Sequence, residues 1–193
     1  MPGEGPRYPA WDPSKVVELF LAPHPAMPPV AVQFVNVQVR PLINGLQLLY
    51  VVEGDPALLQ LPPPQEPGRA EDLWQTTCFE LFLGDRDGTY REFNFSPSGQ
   101  WAAYGFQGYR DGRKPLALAD APSVRIFEPE PFLQMLLATV VVDLEPTVTF
   151  GPTAVIEERD GTKSYWALAH PSDEPDFHHP DCFALELPAP DEV

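Results

Sequence analysis

The segment "LWQTTCFELFLGDRDGTYREFNFSPSGQWAAYGF", from Leu73 to Phe106, contains the clearest structural signal in the chain. Within it, "CFELFLG" and "TYREFNF" flank "DRDG", and the dipeptide Asp87-Gly88 is typical of a tight turn. Bulky apolar side chains recur at every second position on both sides of this turn. Successive side chains of a β-strand point to opposite faces, so this period is typical of strands. The segment therefore predicts a β-hairpin.

The two faces of this hairpin differ in character. In the first strand, Glu80 lies on the face opposite the apolar residues Phe79, Leu81 and Leu83. One face of the second strand carries Tyr90, Glu92 and Asn94. If both strands pair with the segment that contains Trp101, one sheet face combines tryptophan, tyrosine, glutamate and asparagine. This combination suits a neutral sugar, because aromatic rings stack on its C–H groups and fixed polar groups bond its hydroxyls. In the alternative, the aromatic residues form core and the polar groups pair with Arg91 or Arg110.

Similar patterns continue on both sides of the hairpin. The segment "VAVQFVNVQVR" (30–40) alternates, and its apolar phase slips between Phe34 and Val35, which indicates a β-bulge. The dipeptide Asn44-Gly45 predicts a turn before a further strand, and Asp160-Gly161 predicts another hairpin. "CFALELP" is consistent with a last strand.

The whole chain offers about nine or ten strand candidates, separated by regularly spaced turn signals. The valine-rich segment 132–144 fits a buried strand, although its first half is also compatible with a helix. The one other helical candidate is Ser14 to Leu21. This pattern predicts an all-β fold, an antiparallel β-sandwich of jelly-roll or immunoglobulin-like type or else a barrel.

Length and composition favour one domain with an ordinary hydrophobic core. The chain has 193 residues, of which 44% are hydrophobic, and single β domains often reach about 200 residues. We expect the core to span residues 16–187. The 26 prolines belong in loops, because proline cannot donate to a sheet ladder, and residues 61–72 form the most proline-rich of these loops.

Charge and cysteine content exclude several functional classes. The formal charge is −16, from 28 acidic and 12 basic residues, so nucleic acid and anionic membranes are poor partners. The start has no signal-peptide pattern and no apolar run is long enough to span a bilayer, which predicts a cytoplasmic protein. Cys78 and Cys182 each precede a phenylalanine in an apolar segment, which favours two buried thiols over a disulfide.

Motifs for catalysis or metal binding are weak. A pair such as Glu80 and Glu92 has the chemistry of a glycosidase, but a chain this acidic offers such pairs by chance. No nucleophile or phosphate-binding motif is present. The segment "HPSDEPDFHHPD" (170–181) has the composition of a metal site, but the spacing of its residues selects no ligand set and favours a polar loop. Its candidate ligands are His170, His178, His179, Asp173, Asp176 and Asp181.

The opening segment is similar to the W-x-x-(D/T)-x-x-E, Y-x-E-F and N-x-S-P-x-G pattern of DOMON-like proteins related to the family 9 carbohydrate-binding modules. The segment "SYWALAHPSDEPDFHHPDCFALEL" also resembles the closing part of that family, where a tryptophan precedes a proline-bearing loop and the last strand. The resemblance extends over residues 16–187.

This resemblance implies a non-catalytic β-sandwich in which two tryptophans clamp a sugar while a glutamate and other polar side chains bond its hydroxyls. By position the tryptophans fall on Trp74 and Trp166 and the glutamate on Glu80, with Asn94 and Arg91 as candidate polar members.

Haem-binding DOMON relatives use methionine and histidine ligands, but the methionines here do not adjoin a histidine of the motif, so we expect no haem. Calcium is a possible cofactor, although no calcium-loop motif occurs. The alternative functions are a protein-interaction or structural module, in which Trp74 plugs one end of the sandwich, and a glycoside-processing enzyme.

Overall fold

A computed structural model describes residues 15–144 and 147–186. This part of the chain contains three short 3-10 turns, at Pro56–Leu58, Leu73–Gln75 and Pro180–Cys182, and otherwise consists of strands and loops. The strands are β1 (Val17–Pro23), β2 (Val32–Leu42), β3 (Gly45–Gly54), β4 (Cys78–Asp85), β5 (Tyr90–Phe95), β6 (Trp101–Phe106), β7 (Lys114–Pro115), β8 (Ser123–Ile126), β9 (Leu133–Val141), β10 (Thr147–Glu157), β11 (Lys163–Ala167) and β12 (Leu185–Glu186).

The strands form one antiparallel path that folds into two sheets. Its order is β7-β6-β5-β4-β10-β11-β1-β2-β3-β9-β8, and β12 pairs with β10. Sheet A consists of β1, β2, β3, β9 and β8, and sheet B consists of β4 to β7 with β10 to β12. β1 joins them, because its first part pairs with β2 and its last two residues pair with β11. The predicted all-β antiparallel fold is confirmed.

The hydrophobic core lies between the two sheets. Alternate residues of β2, β3 and β9 are buried and meet the buried residues of β4, β5 and β10, as expected for packed sheets whose inner faces interdigitate. Tyr50 of sheet A reaches across this core. Its ring centroid lies 4.9 Å from that of Phe79, and its hydroxyl donates a hydrogen bond to the backbone carbonyl of Glu80, at 2.5 Å.

Sequence patterns located most strands and misplaced some details. The β-bulge lies between Val32 and Phe34, just before the predicted position. Leu42 pairs with Gly45, so the turn is centred on residues 43 and 44, one residue earlier than predicted. The segment 132–144 forms strand β9 along most of its length, including the half that was compatible with a helix.

The helix considered for Ser14 to Leu21 is wrong. Residues 17–23 form β1, and its buried residues Leu19 and Leu21 are two positions apart, which is the period of a strand. Ser14 lies outside the described residues.

The proline-rich loop 61–72 contains no strand, as its composition predicts. Arg69 anchors it: the guanidinium lies 4.5 Å from the ring centroid of Trp101 and donates to the backbone carbonyls of Ala103 and Leu116.

None of the helical segments within residues 15–144 and 147–186 is long and apolar enough to cross a membrane.

The Tyr50 hydroxyl should contribute measurably to the packing of the sheets. We expect Tyr50→Phe to lower the free energy of unfolding by about 1–2 kcal/mol, because a buried hydrogen bond between the sheets is lost. Urea denaturation measures this change. Tyr165→Phe is the control, since the Tyr165 hydroxyl has no hydrogen-bond partner among the described residues. Equal stability of wild type and Tyr50→Phe would contradict the role of this bond.

Candidate functional site

The outer face of sheet B, on the side away from sheet A, is covered by chain segments instead of being open to solvent. Two segments cover it: the β11–β12 loop (residues 168–184) and the turn Leu73–Gln75. They enclose a second cluster of buried side chains, formed by Leu73, Cys78, Phe82, Tyr90, Ala102, Tyr104, Phe106, Val155, Ala167, Phe177, Cys182 and Phe183. The Cys182 Sγ lies 3.2 Å from the backbone carbonyl oxygens of both Ala169 and Asp176, so its single S–H has two acceptors within this loop.

A cleft of about 710 Å³ remains between this cover and the sheet. Its volume falls within the range of small-molecule sites, roughly 300–1,000 Å³. Aromatic rings and charged groups line it together, and its main members are Trp74, Glu80, Phe82, Glu92, Phe106, Arg110, Arg113, Tyr165, Phe177 and His178.

Glu80 lies on the floor of this cleft and is only 3% exposed. The alternation of β4 places Glu80 on the same face as Cys78 and Phe82, opposite the core residues Phe79, Leu81 and Leu83. Thr153 of the neighbouring strand donates to Oε2 at 3.3 Å. Burial raises the pKa of Glu80 well above its ordinary value, and the nearby carboxyl of Glu92 raises it further.

Glu92 projects from β5 onto the same floor. It lies diagonally from Glu80, because Glu80 pairs with Asn94 and Phe82 pairs with Glu92. Asn94 Nδ2 donates to Glu92 Oε1 at 2.6 Å. Burial raises the pKa of Glu92, and the hydrogen bond from Asn94 opposes this change.

His178 closes one side of the floor. Its Nε2 lies 3.9 Å from Glu92 Oε2, and its Nδ1 lies 2.9 Å from the hydroxyl of Tyr90, which also accepts the backbone N–H of Arg110 at 3.1 Å. Burial and then the positive charge of Arg110 lower the pKa of His178 to about 4. The imidazole is therefore neutral near pH 7 and cannot neutralise the two carboxyls.

The two arginines at the rim already have acidic partners. Arg110 pairs with Asp176 of the β11–β12 loop at 2.7 Å. Arg113 pairs with Glu71 at 3.2 Å, and its guanidinium lies 3.9 Å from the ring centroid of Tyr104.

Trp74 forms an exposed apolar wall of the cleft. The turn Leu73–Gln75 carries it, and the residue before the turn, Asp72, adopts a left-handed conformation (φ 57°) that aspartate tolerates better than most residues. Its neighbour Leu73 is buried in the outer cluster, whereas Trp74 is 51% exposed. An anchored turn thus presents a large ring to solvent.

The structure brings together only part of the predicted site. Trp74 and Glu80 line the cleft, and Asn94 lies beneath it, bonded to Glu92. Arg91 was misplaced, because the alternation of β5 turns it to the opposite face. There it pairs with Asp85 at 2.7 Å and donates to Thr147.

The predicted pairing of Trp74 with Trp166 around one ligand is also wrong. Trp166 is 2% exposed, belongs to the core between the sheets and donates its indole N–H to Ser164 at 2.9 Å. Its neighbour on β11, Tyr165, points the other way and lines the cleft. One step along a strand changes the face, so Tyr165, and not Trp166, is the aromatic residue of β11 that lines the cleft.

Trp101 also faces the core, because it pairs with Phe95 and not with Asn94. The rings that sequence reasoning missed are Tyr104 and Phe106, which share the outer face with Ala102. The alternation of "WAAYGF" is the signal that could have identified them once the register of β5 and β6 was known.

Cys78 and Cys182 are both buried free thiols, as predicted. The histidines of the β11–β12 loop serve as structural partners: His170 bonds the backbone carbonyl of Ala22, and His178 bonds Tyr90. Within residues 15–144 and 147–186 no group of three or more His, Cys, Asp or Glu side chains is arranged to hold a metal ion.

Comparison with known proteins supports the fold. No protein-family model matches the chain, and no curated protein matches it significantly. Among solved structures, the chain is similar to "a putative carbohydrate-binding protein from Bacteroides uniformis ATCC 8492", with a TM-score of 0.62 and 15% sequence identity over 90% of this chain and 86% of that one. At this identity the likeness shows a shared β fold.

The two candidate tryptophans should differ sharply in their effect on stability. We expect Trp166→Ala to cost about 3–5 kcal/mol in free energy of unfolding, because it leaves a large cavity in the core. Trp74→Ala should cost less than about 1 kcal/mol, since half of that side chain is already exposed. Chemical denaturation of both variants tests the assignment, and a larger loss for Trp74→Ala would reverse it.

Burial of Glu80 should also appear in the pH dependence of stability. A carboxyl whose pKa is raised by folding stabilises the fold below its unfolded pKa, and this contribution is lost as pH rises toward the folded pKa. Glu80→Gln has no carboxyl to titrate at this position. The free energy of unfolding of the variant, relative to that of wild type, should therefore be higher at about pH 8 than at about pH 5.

Urea denaturation at both pH values measures this difference. Glu18→Gln, at an exposed position of β1, should keep the wild-type pH dependence. If Glu80→Gln does the same, the Glu80 carboxyl is ionised without penalty and is not buried as described.

Proposed function

We propose that this protein is a non-catalytic, DOMON-like β-sandwich that binds a carbohydrate in the cleft on the outer face of sheet B. One observation carries the proposal: the exposed ring of Trp74 stands at a cleft whose floor bears the buried polar groups of Glu80 and Glu92. A sugar ring has an apolar C–H face that stacks on an indole and hydroxyls that need fixed hydrogen-bonding partners.

The surroundings of these groups suit recognition. Asn94 fixes Glu92 and Thr153 fixes Glu80, so both carboxyls meet a ligand in set orientations and little side-chain entropy is lost on binding. The resemblance of the central motif to family 9 carbohydrate-binding modules supports the same ligand class. The solved structure with a similar fold is itself described as carbohydrate-binding.

The arrangement of the carboxyls favours binding over glycoside hydrolysis. Hydrolysis uses an acid and a second carboxylate that flank the scissile bond. Burial raises the pKa of both Glu80 and Glu92, so their surroundings do not divide them into a protonated acid and an ionised nucleophile or base. We therefore assign them to recognition of the ligand.

The test is calorimetric titration of the protein with a panel of mono- and oligosaccharides. Trp74→Ala should weaken binding of any positive sugar by at least about thirtyfold, because a central aromatic contact of this kind contributes about 2 kcal/mol. Phe34→Ala, which removes an exposed ring on β2 outside the cleft, should bind as wild type does.

Two results would count against the proposal. Absence of binding across the panel by a folded protein would remove the carbohydrate assignment. Binding that survives Trp74→Ala unchanged would move the site out of this cleft.

A further inference from the structure

The floor of the cleft contains two buried carboxyls that lack a basic partner. Glu80 is 3% and Glu92 is 6% exposed. Their hydrogen bonds among the described residues come from the neutral side chains of Thr153 and Asn94. The other carboxyl oxygen of Glu80, Oε1, accepts no hydrogen bond from any described residue, and Glu80 lines the cleft. A carboxyl this deeply buried is normally paired with a positive charge.

The nearby basic residues form no direct ion pair with either carboxyl, although the charges of Arg113 and Arg110 lower the pKa of Glu92 from a distance. Arg110 and Arg113 form ion pairs with Asp176 and Glu71 at the rim. His178 approaches Glu92 no closer than 3.9 Å. The acidic groups in and around the cleft therefore outnumber the basic ones, in a protein whose formal charge is −16. Such a field attracts cations and disfavours anions.

We propose that the natural ligand carries a protonated primary amine that forms ion pairs with Glu80 and Glu92 while an apolar ring face of the ligand stacks on Trp74. The inference rests on the proposed function and narrows it to amino sugars. An ammonium group has three N–H donors and no acceptor, which matches two acceptor carboxylates. Charge-assisted hydrogen bonds of this type are about twice as strong as neutral ones, so the amine distinguishes the ligand from a neutral sugar.

A divalent cation fits the same floor less well. Calcium takes six to eight oxygen ligands, whereas two carboxyls are available here and one oxygen of each is already bonded to Thr153 or Asn94. The absence of any group of three metal-ligating side chains among the described residues agrees with this view. All titrations should include a chelator so that a metal ion cannot mimic the effect.

Binding of an amine should be linked to proton release. Burial raises the pKa of Glu80 and of Glu92, so the free protein holds protons on this pair above the ordinary titration range of glutamate. An ammonium group favours the ionised carboxylates and displaces these protons. The other titratable and charged groups around the pair are Tyr50, Cys78, Tyr90, Arg110, Arg113, Tyr165, Glu174 and His178.

The experiment is calorimetric titration at about pH 6, where an aliphatic amine is fully protonated. The probes are glucosamine, glucose, N-acetylglucosamine and cyclohexylamine, each in two buffers of different ionisation enthalpy. We expect glucosamine to bind at least about tenfold more tightly than glucose and N-acetylglucosamine. Its binding should release protons, which appear as a difference in observed binding enthalpy between the two buffers, and glucose binding should release none.

Matched variants locate the effect. Glu80→Gln and Glu92→Gln keep the shape of the floor and remove one charge, and either should lose the preference for glucosamine. Glu174→Gln removes the same charge from an exposed residue of the cleft wall and should retain it. Urea denaturation shows whether each variant is folded.

The outcomes separate this inference from the proposed function. Equal affinity for all three sugars would overturn the amine assignment and leave carbohydrate binding intact. Binding of cyclohexylamine without any sugar would support the amine site and overturn the carbohydrate proposal. Failure of both amines to bind, or glucosamine binding without proton release, would overturn the inference.

Discussion

Sheet B is covered on both faces, and this constraint determines the chemistry of the molecule. Its central strands β4 and β5 therefore bury side chains on both faces. On the inner face, β4 and β5 bury Phe79, Leu81, Leu83, Phe93 and Phe95. On the outer face the same strands place Glu80 and Glu92 among aromatic rings. The two-residue period of a strand therefore carries two acidic groups into a low-dielectric site.

The cost of that burial explains how the site is built. An ionised carboxyl that loses water without a partner is strongly destabilised, so its pKa rises or another group compensates for the charge. Thr153 and Asn94 give partial compensation through neutral hydrogen bonds. The β11–β12 loop and the turn that carries Trp74 cover the outer face of the sheet around the floor and leave the cleft open beside it. The bonds from Thr153 and Asn94 hold both carboxyls in fixed orientations at the floor of the cleft, which is the arrangement that the proposed ligand requires.

Local patterns predicted much of this arrangement, and long-range pairing determined the rest. Alternation in "CFELFLG" and "TYREFNF" correctly separated Glu80 and Glu92 from the core residues, because that separation depends only on the strand period. The faces of Trp101 and Trp166 depend on register between strands, which their own segments do not encode. Arg110 and His178 come from loops, and only the fold brings these residues to the same cleft.

The proposed ligand site lies on the outer face of sheet B and not within the core between the sheets. The indole N–H resonances of a ¹⁵N-labelled sample, followed during titration with the tightest-binding sugar, distinguish these two locations. We expect a saturable shift of the Trp74 resonance while those of Trp101 and Trp166 stay in place. Shifts confined to Trp101 or Trp166, with Trp74 unaffected, would place the ligand in the core and refute the proposed site.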